Sequence, residues 1–275
     1  AGWLSQALVG AFPFYLTALF TPASEAAGFV PDGAAYTSSL YNFTNPLHAL
    51  FESMSAYTTT GLTMAVHEPS IGKGLLFYRS LAQWIGGVGF IVLSLAILRQ
   101  SPSQRTMQFS GSDYTGEKLK PNIIGTARAI WQIYLGLTLV VAVYLLIAGL
   151  VLKPSYGIGE MAFNAINHAM TGQATGGFST LDDSIAGYNS TAMMYIHWLP
   201  MIIGGLALPF YYKLIHNRNY RVFWQNIQAR ALFVSSAVGG LLLSLFLQAD
   251  AMMEAPFQEG FFQYISGLTG TGWQT

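Results

Sequence analysis

The sequence predicts an all-α polytopic membrane protein built from repeated helix–re-entrant loop–helix units. Three observations predict it: a composition poor in charge, five apolar runs long enough to cross a bilayer, and a short Thr/Ser/Gly motif that recurs between them. Of 275 residues, 52% are hydrophobic and only 9% charged, with a mean hydropathy of +0.42. A soluble domain carries about 25% charged residues, so the deficit is too large for a surface facing water. Net charge is zero and neither a basic nor an acidic tail is present, so nothing points to nucleic acid as a partner. With no cysteine, disulfides and thiolate metal sites are excluded. Six Trp, 15 Tyr and 18 Phe suit the aromatic belts of a protein whose partner is membrane lipid.

A spanning helix needs about 20 largely apolar residues. The runs that qualify are 3–20, 75–98, 127–152, 191–215 and 229–248. The first lacks the charged leader of a signal peptide and is read as a spanning helix or the end of one. The second carries Arg79 and Gln83, which give it a protein-facing or interfacial side. The third has no charge after Arg128 and is the cleanest. The fourth holds Pro200 and Pro209, either of which can kink it. Glycines at 86, 87, 89, 204, 205, 239 and 240 are read as close helix contacts.

Between the runs lie three semi-polar stretches, 44–66, 160–180 and 256–275, too short and too polar to span. Irregular backbone at membrane depth is tolerated only where it is buried in protein or lines water, so these are surface loops or re-entrant loops. Charge placement sets the topology. Segments 99–128 and 213–230 hold Arg99, Arg105, Lys118, Lys120, Arg128, Lys213, Arg218, Arg221 and Arg230, nine of the 12 basic residues, and only Asp113 and Glu117 of the 12 acids. By the positive-inside rule both segments are cytoplasmic. All three semi-polar stretches then fall on the outer side, with acids such as Glu25, Asp32, Glu68, Glu160, Asp182, Asp183 and Asp250.

The three stretches align without a gap on Gly61, Gly177 and Gly272. The copies read ALFESMSAYTTTGLT from Ala49, AINHAMTGQATGGFS from Ala165 and GFFQYISGLTGTGWQ from Gly260. Six residues before each glycine stands Ser55, Thr171 or Ser266, and after it Leu62, Phe178 or Trp273. The expected boundaries are 1–100 for a first unit with a truncated start, 101–122 for a cytoplasmic link, 123–216 for a second unit, and 217–275 for a third that stops in its loop. The physics fits a cation filter. About ten residues ahead of each Thr/Gly cluster can form a half-helix whose C-terminal end carries partial negative charge. Extended residues after it can turn carbonyls to an axis and replace a hydration shell, and oxygen-only ligation suits a hard alkali cation. The bland reading of one Thr/Gly cluster is a turn, but three in register on one side argue against it.

These residues resemble the TrkH/KtrB/HKT superfamily of potassium transporters. The resemblance rests on TTTGLT (58–63), YRSLAQWIGGVGFIVLSLAILR (78–99), KLKPNIIGTARAIWQIYLGLT (118–138) and ATGGFS (174–179), and covers nearly the whole chain. It implies four helix–pore loop–helix repeats, pseudo-fourfold about one pore as in a potassium channel, of which three are present here. The fourth repeat and the second helix of the third, which carries the family's gating loop, are absent. It implies a filter at Thr59, Thr60, Gly61 and Leu62, at Thr175, Gly176, Gly177 and Phe178, and at Gly270, Thr271, Gly272 and Trp273. It further implies potassium as substrate with no bound cofactor, a homodimer, a TrkA-like cytosolic nucleotide-binding regulatory subunit, and the bacterial inner membrane. Gly61, where serine marks the sodium-selective branch, gives the potassium pattern. Repeat three departs from the others in its extra glycine and bulky Trp273.

Other residues are weighed beside these. His168 occupies the half-helix position of Glu52 and Gln263, where bracing the loop is the plainer role and attracting cations the sharper one. Asp182 and Asp183 suit a vestibule or a solvated loop. Arg79 is expected to snorkel or to pair with an acid. An enzyme is not expected: no Gly-x-Ser-x-Gly occurs, and no Ser, His and acid fall in a motif. A secondary transporter with discontinuous helices, binding another cation such as sodium, is the alternative function; it predicts inverted repeats, whereas all three copies enter from one side.

Overall fold

The computed structural model describes residues 2–99, 123–215, 218–249 and 255–275. The expected link 101–122, with its basic residues, and Asp250 lie outside the described residues. Among the described residues the regular structure is helical throughout, as the apolar runs predict. Its main helices are α1 (Gly2–Phe20), α2 (Pro46–Tyr57), α3 (Lys73–Arg99), α4 (Ile123–Leu152), α5 (Gly157–Gln173), α6 (Thr191–Gly205), α7 (Leu208–Ile215), α8 (Ile227–Ala249) and α9 (Pro256–Thr269).

Three times over, a long apolar helix is followed by a shorter one that packs back on it: α1 with α2, α4 with α5, α8 with α9. Glycine makes each approach close. A methyl at Gly10 would overlap Tyr57 and Ser53 of α2, one at Gly149 would overlap Met161 of α5, and one at Gly239 would overlap Tyr264 of α9. Without water to drive burial, contact between helices in lipid relies on such backbone proximity. Gly86, Gly87, Gly204, Gly205 and Gly240 are packing positions as expected, but a methyl on Gly89 would meet nothing within 4 Å among the described residues. Residues 128–152 of α4 and the whole of α8 are long and apolar enough to cross a membrane.

The run 191–215 is not one span. It breaks between α6 and α7, whose axes meet at 94°. Pro209 has no N–H to give the Gly205 carbonyl, and its ring crowds that carbonyl. Leu206 turns extended, with ψ 135°. The bend is internally satisfied, because the Tyr211 hydroxyl donates to Ile203 O at 2.6 Å.

The units succeed one another sideways. Helix α3 packs on α5 of the next unit, and α6 packs on α9 of the unit after. The glycine pairs mark the correspondence. Gly87 meets Ala174, just past α5, and Gly205 meets Thr269, the last residue of α9. Ala174 and Thr269 are equivalent in the loop alignment, so Gly87 corresponds to Gly205 and, four residues earlier, Gln83 corresponds to Met201.

Candidate functional site

The three half-helices end in one and the same turn. At the end of α2, Thr59 N–H donates to Ala56 O (3.0 Å) and Thr60 N–H to Ser55 O (2.9 Å). At the end of α5, Thr175 N–H donates to Gly172 O (3.1 Å) and Gly176 N–H to Thr171 O (2.9 Å). At the end of α9, Gly270 N–H donates to Gly267 O (3.2 Å) and Thr271 N–H to Ser266 O (2.9 Å). This is the double closure of a Schellman cap, whose first residue past the cap is left-handed. Thr59, Thr175 and Gly270 have φ of 55°, 49° and 74°. The extra glycine of the third copy therefore sits where the turn favours glycine, and the two threonines are the strained members, since a β-branched residue rarely adopts positive φ.

Two residues on, the backbone turns left-handed again at Gly61, Gly177 and Gly272, with φ of 81°, 79° and 79°. The three loops lie side by side. A methyl on Gly61 would overlap the Gly176 carbonyl oxygen, and one on Gly177 would overlap the Thr271 carbonyl oxygen. The same glycine meets the same carbonyl of the next loop at both steps, so consecutive loops repeat one contact. A methyl on Gly272 would meet nothing within 4 Å among the described residues. The side chains that follow differ: Leu62 is exposed, while Phe178 and Trp273 are buried.

Hydroxyls brace two of the turns. Thr58 Oγ1 bonds Met54 O and Thr60 Oγ1, each at 2.7 Å. Thr269 Oγ1 bonds Ile265 O and Thr271 Oγ1, each at 2.8 Å. The second loop carries Ala174 and Gly176 at those positions and has no such pair. There Gln83, wholly buried on α3, donates from Nε2 to Gly176 O at 2.6 Å and accepts the Phe178 N–H on Oε1 at 3.2 Å.

The segment leaving each loop is tied to one half-helix position. Glu52 accepts from Met64 N–H and Thr63 Oγ1, both at 2.8 Å. His168 Nε2 lies 3.1 Å from Ser179 Oγ. Gln263 Nε2 donates to Thr275 O at 3.4 Å. Bracing is therefore what the geometry gives to all three residues.

Arg79 enters from α3 as a buried cation. Its Nη1 is 3.2 Å from Glu52 Oε1, its Nη2 bonds Ser179 O of the second loop, and its guanidinium lies 4.5 Å from the Phe178 ring centre. His197, at the corresponding place on α6, meets the Trp273 ring edge-on at 5.3 Å. Trp273 Nε1 donates to Phe178 O at 3.3 Å, linking the third loop to the second. Outside the spans, the Glu68 carboxyl is pushed up to about 7, chiefly by burial, with the nearby Asp182 carboxylate adding and Arg79 opposing. His67 and Tyr36 close this outer cluster, each with an atom within 3.4 Å of Asp182 Oδ2.

Of the two roles expected for Arg79, snorkelling or pairing with an acid, the structure shows the pairing, and Gln83 and His197 stand against the loops without having been expected there. The signal lay in Arg79 and Gln83 themselves, polar residues four apart and so on one helix face in an otherwise apolar run. Chemically, the site is a set of stacked backbone loops at three half-helix C-termini, whose partial negative charge favours a cation. No group of three or more His, Asp or Glu that could hold a metal occurs among the described residues.

Comparison with known proteins gives the family. Residues 19–275 match the TrkH family, described as cation transport protein. The chain is 33% identical over 236 residues to the Trk system potassium uptake protein TrkH of Escherichia coli K12, covering 82% of this chain and 46% of that protein. It is 28% identical over 273 residues to an uncharacterised cation transporter of Methanocaldococcus jannaschii, covering 99% and 48%. The crystal structure of the potassium transporter TrkH from Vibrio parahaemolyticus superposes with a TM-score of 0.71 at 28% identity, covering 96% of this chain and 48% of that one. The chain thus spans about half the length of the relatives it matches. By the family match along nearly its whole length, it belongs to the TrkH cation transport protein family.

Proposed function

We propose that this chain forms three consecutive walls of a potassium-conducting pore in a membrane transport protein. The observation that carries the reading is the repeated contact of one loop's glycine with the next loop's carbonyl, Gly61 on Gly176 and Gly177 on Thr271. Loops stacked by rotation share an axis, and a dehydrated potassium ion held there would replace its water with loop carbonyls. The filter set is Thr59–Leu62, Thr175–Phe178 and Gly270–Trp273, in units bounded at 1–100, 123–216 and 217–275 and linked by 101–122. A fourth segment beside Gly272 and Leu62 would close the ring. The role is transport, not catalysis, with potassium as cargo. The family resemblance supports a homodimer in the bacterial cytoplasmic membrane, controlled by a cytosolic nucleotide-binding subunit.

The test is Gly61→Ser in the full-length protein. Its side chain would overlap the Gly176 carbonyl and strain a left-handed residue. In cells deficient in potassium uptake, the preference for potassium over sodium should fall about tenfold, the equivalent of about 1.4 kcal/mol. An unchanged preference would refute the reading.

A further inference from the structure

Gln83 is bonded to both peptide units that flank Gly177. Its amide donates to the carbonyl of the Gly176–Gly177 peptide at 2.6 Å and accepts the N–H of the Gly177–Phe178 peptide at 3.2 Å. A trans peptide holds its N–H and C=O pointing in opposite directions. Fixing the Phe178 N–H onto α3 therefore aims the Gly177 carbonyl away from α3. The same clamp draws the Gly176 carbonyl toward α3, into the seam where it also meets Gly61.

The clamp explains a sequence difference between the copies. The residue before the central glycine is Thr60 in the first loop and Thr271 in the third, but Gly176 in the second. Gly176 does not have positive φ, so backbone freedom is not its reason. A methyl there would overlap the Gln83 side chain. Glycine makes room for the glutamine, and the glutamine replaces the hydroxyl pair that braces the other two loops. At the position corresponding to Gln83, α6 carries Met201, which has no amide. The third loop is held instead by Ser266 Oγ on Trp273 O at 2.7 Å and by the Trp273 indole on Phe178 O.

We propose that Gln83 is a positioning residue that sets ion preference at the second loop, by presenting the Gly177 carbonyl to the ion and withholding that of Gly176. The proposal rests on the pore reading above. A buried amide with both ends bonded is a rigid strut, and loss of either bond strands a buried peptide group. The position of the carbonyl ligands in a filter sets its discrimination between ions.

The experiment uses the full-length protein, purified into liposomes, with rubidium and sodium fluxes measured for Gln83→Leu, Gln83→Glu and Gly61→Ser. Gln83→Leu should lower the rubidium-to-sodium flux ratio of the folded protein recovered about tenfold; a merely structural role would lower the amount recovered and leave the ratio. Gln83→Glu should lose the ratio at neutral pH and regain it on acidification. Only the protonated carboxyl can both donate to Gly176 O and accept from Phe178 N–H. If Gln83→Leu fails to accumulate, the pH dependence of Gln83→Glu decides alone. A normal ratio at every pH in the Gln83 variants, with Gly61→Ser impaired, overturns the inference and leaves the pore reading standing. A normal ratio in all three overturns both.

Discussion

Glu52→Gln should destabilise the protein more than its near-identity of shape suggests. Glu52 and Arg79 are both wholly buried, with Nη1 3.2 Å from Oε1. At an effective dielectric near 20, that separation corresponds to about 5 kcal/mol of attraction. Breaking a buried pair from one side costs about 3–5 kcal/mol, because the surviving charge is left uncompensated. Glutamine keeps an acceptor for Met64 N–H and Thr63 Oγ1, but its amide N–H groups face the guanidinium, donor against donor. Glu68, at 3.9 Å from Nη2, is too far to take over. A loss near 3 kcal/mol follows, roughly 5–10 °C in the unfolding midpoint of the purified protein. The double variant Glu52→Gln/Arg79→Met removes the stranded charge as well and should recover most of that loss, giving a coupling of about 2 kcal/mol or more. Losses that add within about 0.5 kcal/mol would refute the pairing, since independent sites add to that precision.

Two further outcomes are expected. Glu68 holds its proton up to about pH 7 when folded, against a usual 4.5. Its stabilising contribution is thus full below about pH 4.5, declines as pH rises and is lost above about 7; thermal unfolding of Glu68→Gln should show a flatter pH profile from 5 to 8 and a higher midpoint at pH 8, whereas parallel profiles would contradict the burial. Gly177→Ala adds a left-handed strain of about 1–2 kcal/mol to an overlap with a backbone oxygen that no rotamer can relieve. Rubidium uptake through the full-length variant should fall below about a tenth of normal; uptake near normal would mean the loops do not pack as described.

The loops were legible from sequence because their turn is local. Thr59, Thr175 and Gly270 are left-handed and Gly61, Gly177 and Gly272 follow two residues later, so six backbone angles leave a trace of six residues in fixed register. The repeat of the long helices was harder to see. Arg79 corresponds to His197 and Gln83 to Met201, pairs with no chemical likeness, and only Gly86–Gly87 and Gly204–Gly205 betray the match. The break in 191–215 was half visible: Pro209 marked a kink, but hydropathy averages over a bend and reports only that both arms are apolar.

What the sequence determined by itself is therefore what short-range physics controls: apolar helices, of which residues 128–152 and α8 are long enough to cross a membrane among those described, half-helices ending in a Thr/Gly cluster, and a glycine where a side chain would strain the chain. What only the tertiary structure decided is which groups meet across the units. Gly61 seats on a carbonyl 115 residues away and Gln83 clamps a peptide more than 90 residues away. Such partners are chosen by close packing of whole helices, in which the space left by Gly176 and the polar face of α3 become complementary only once both are in place.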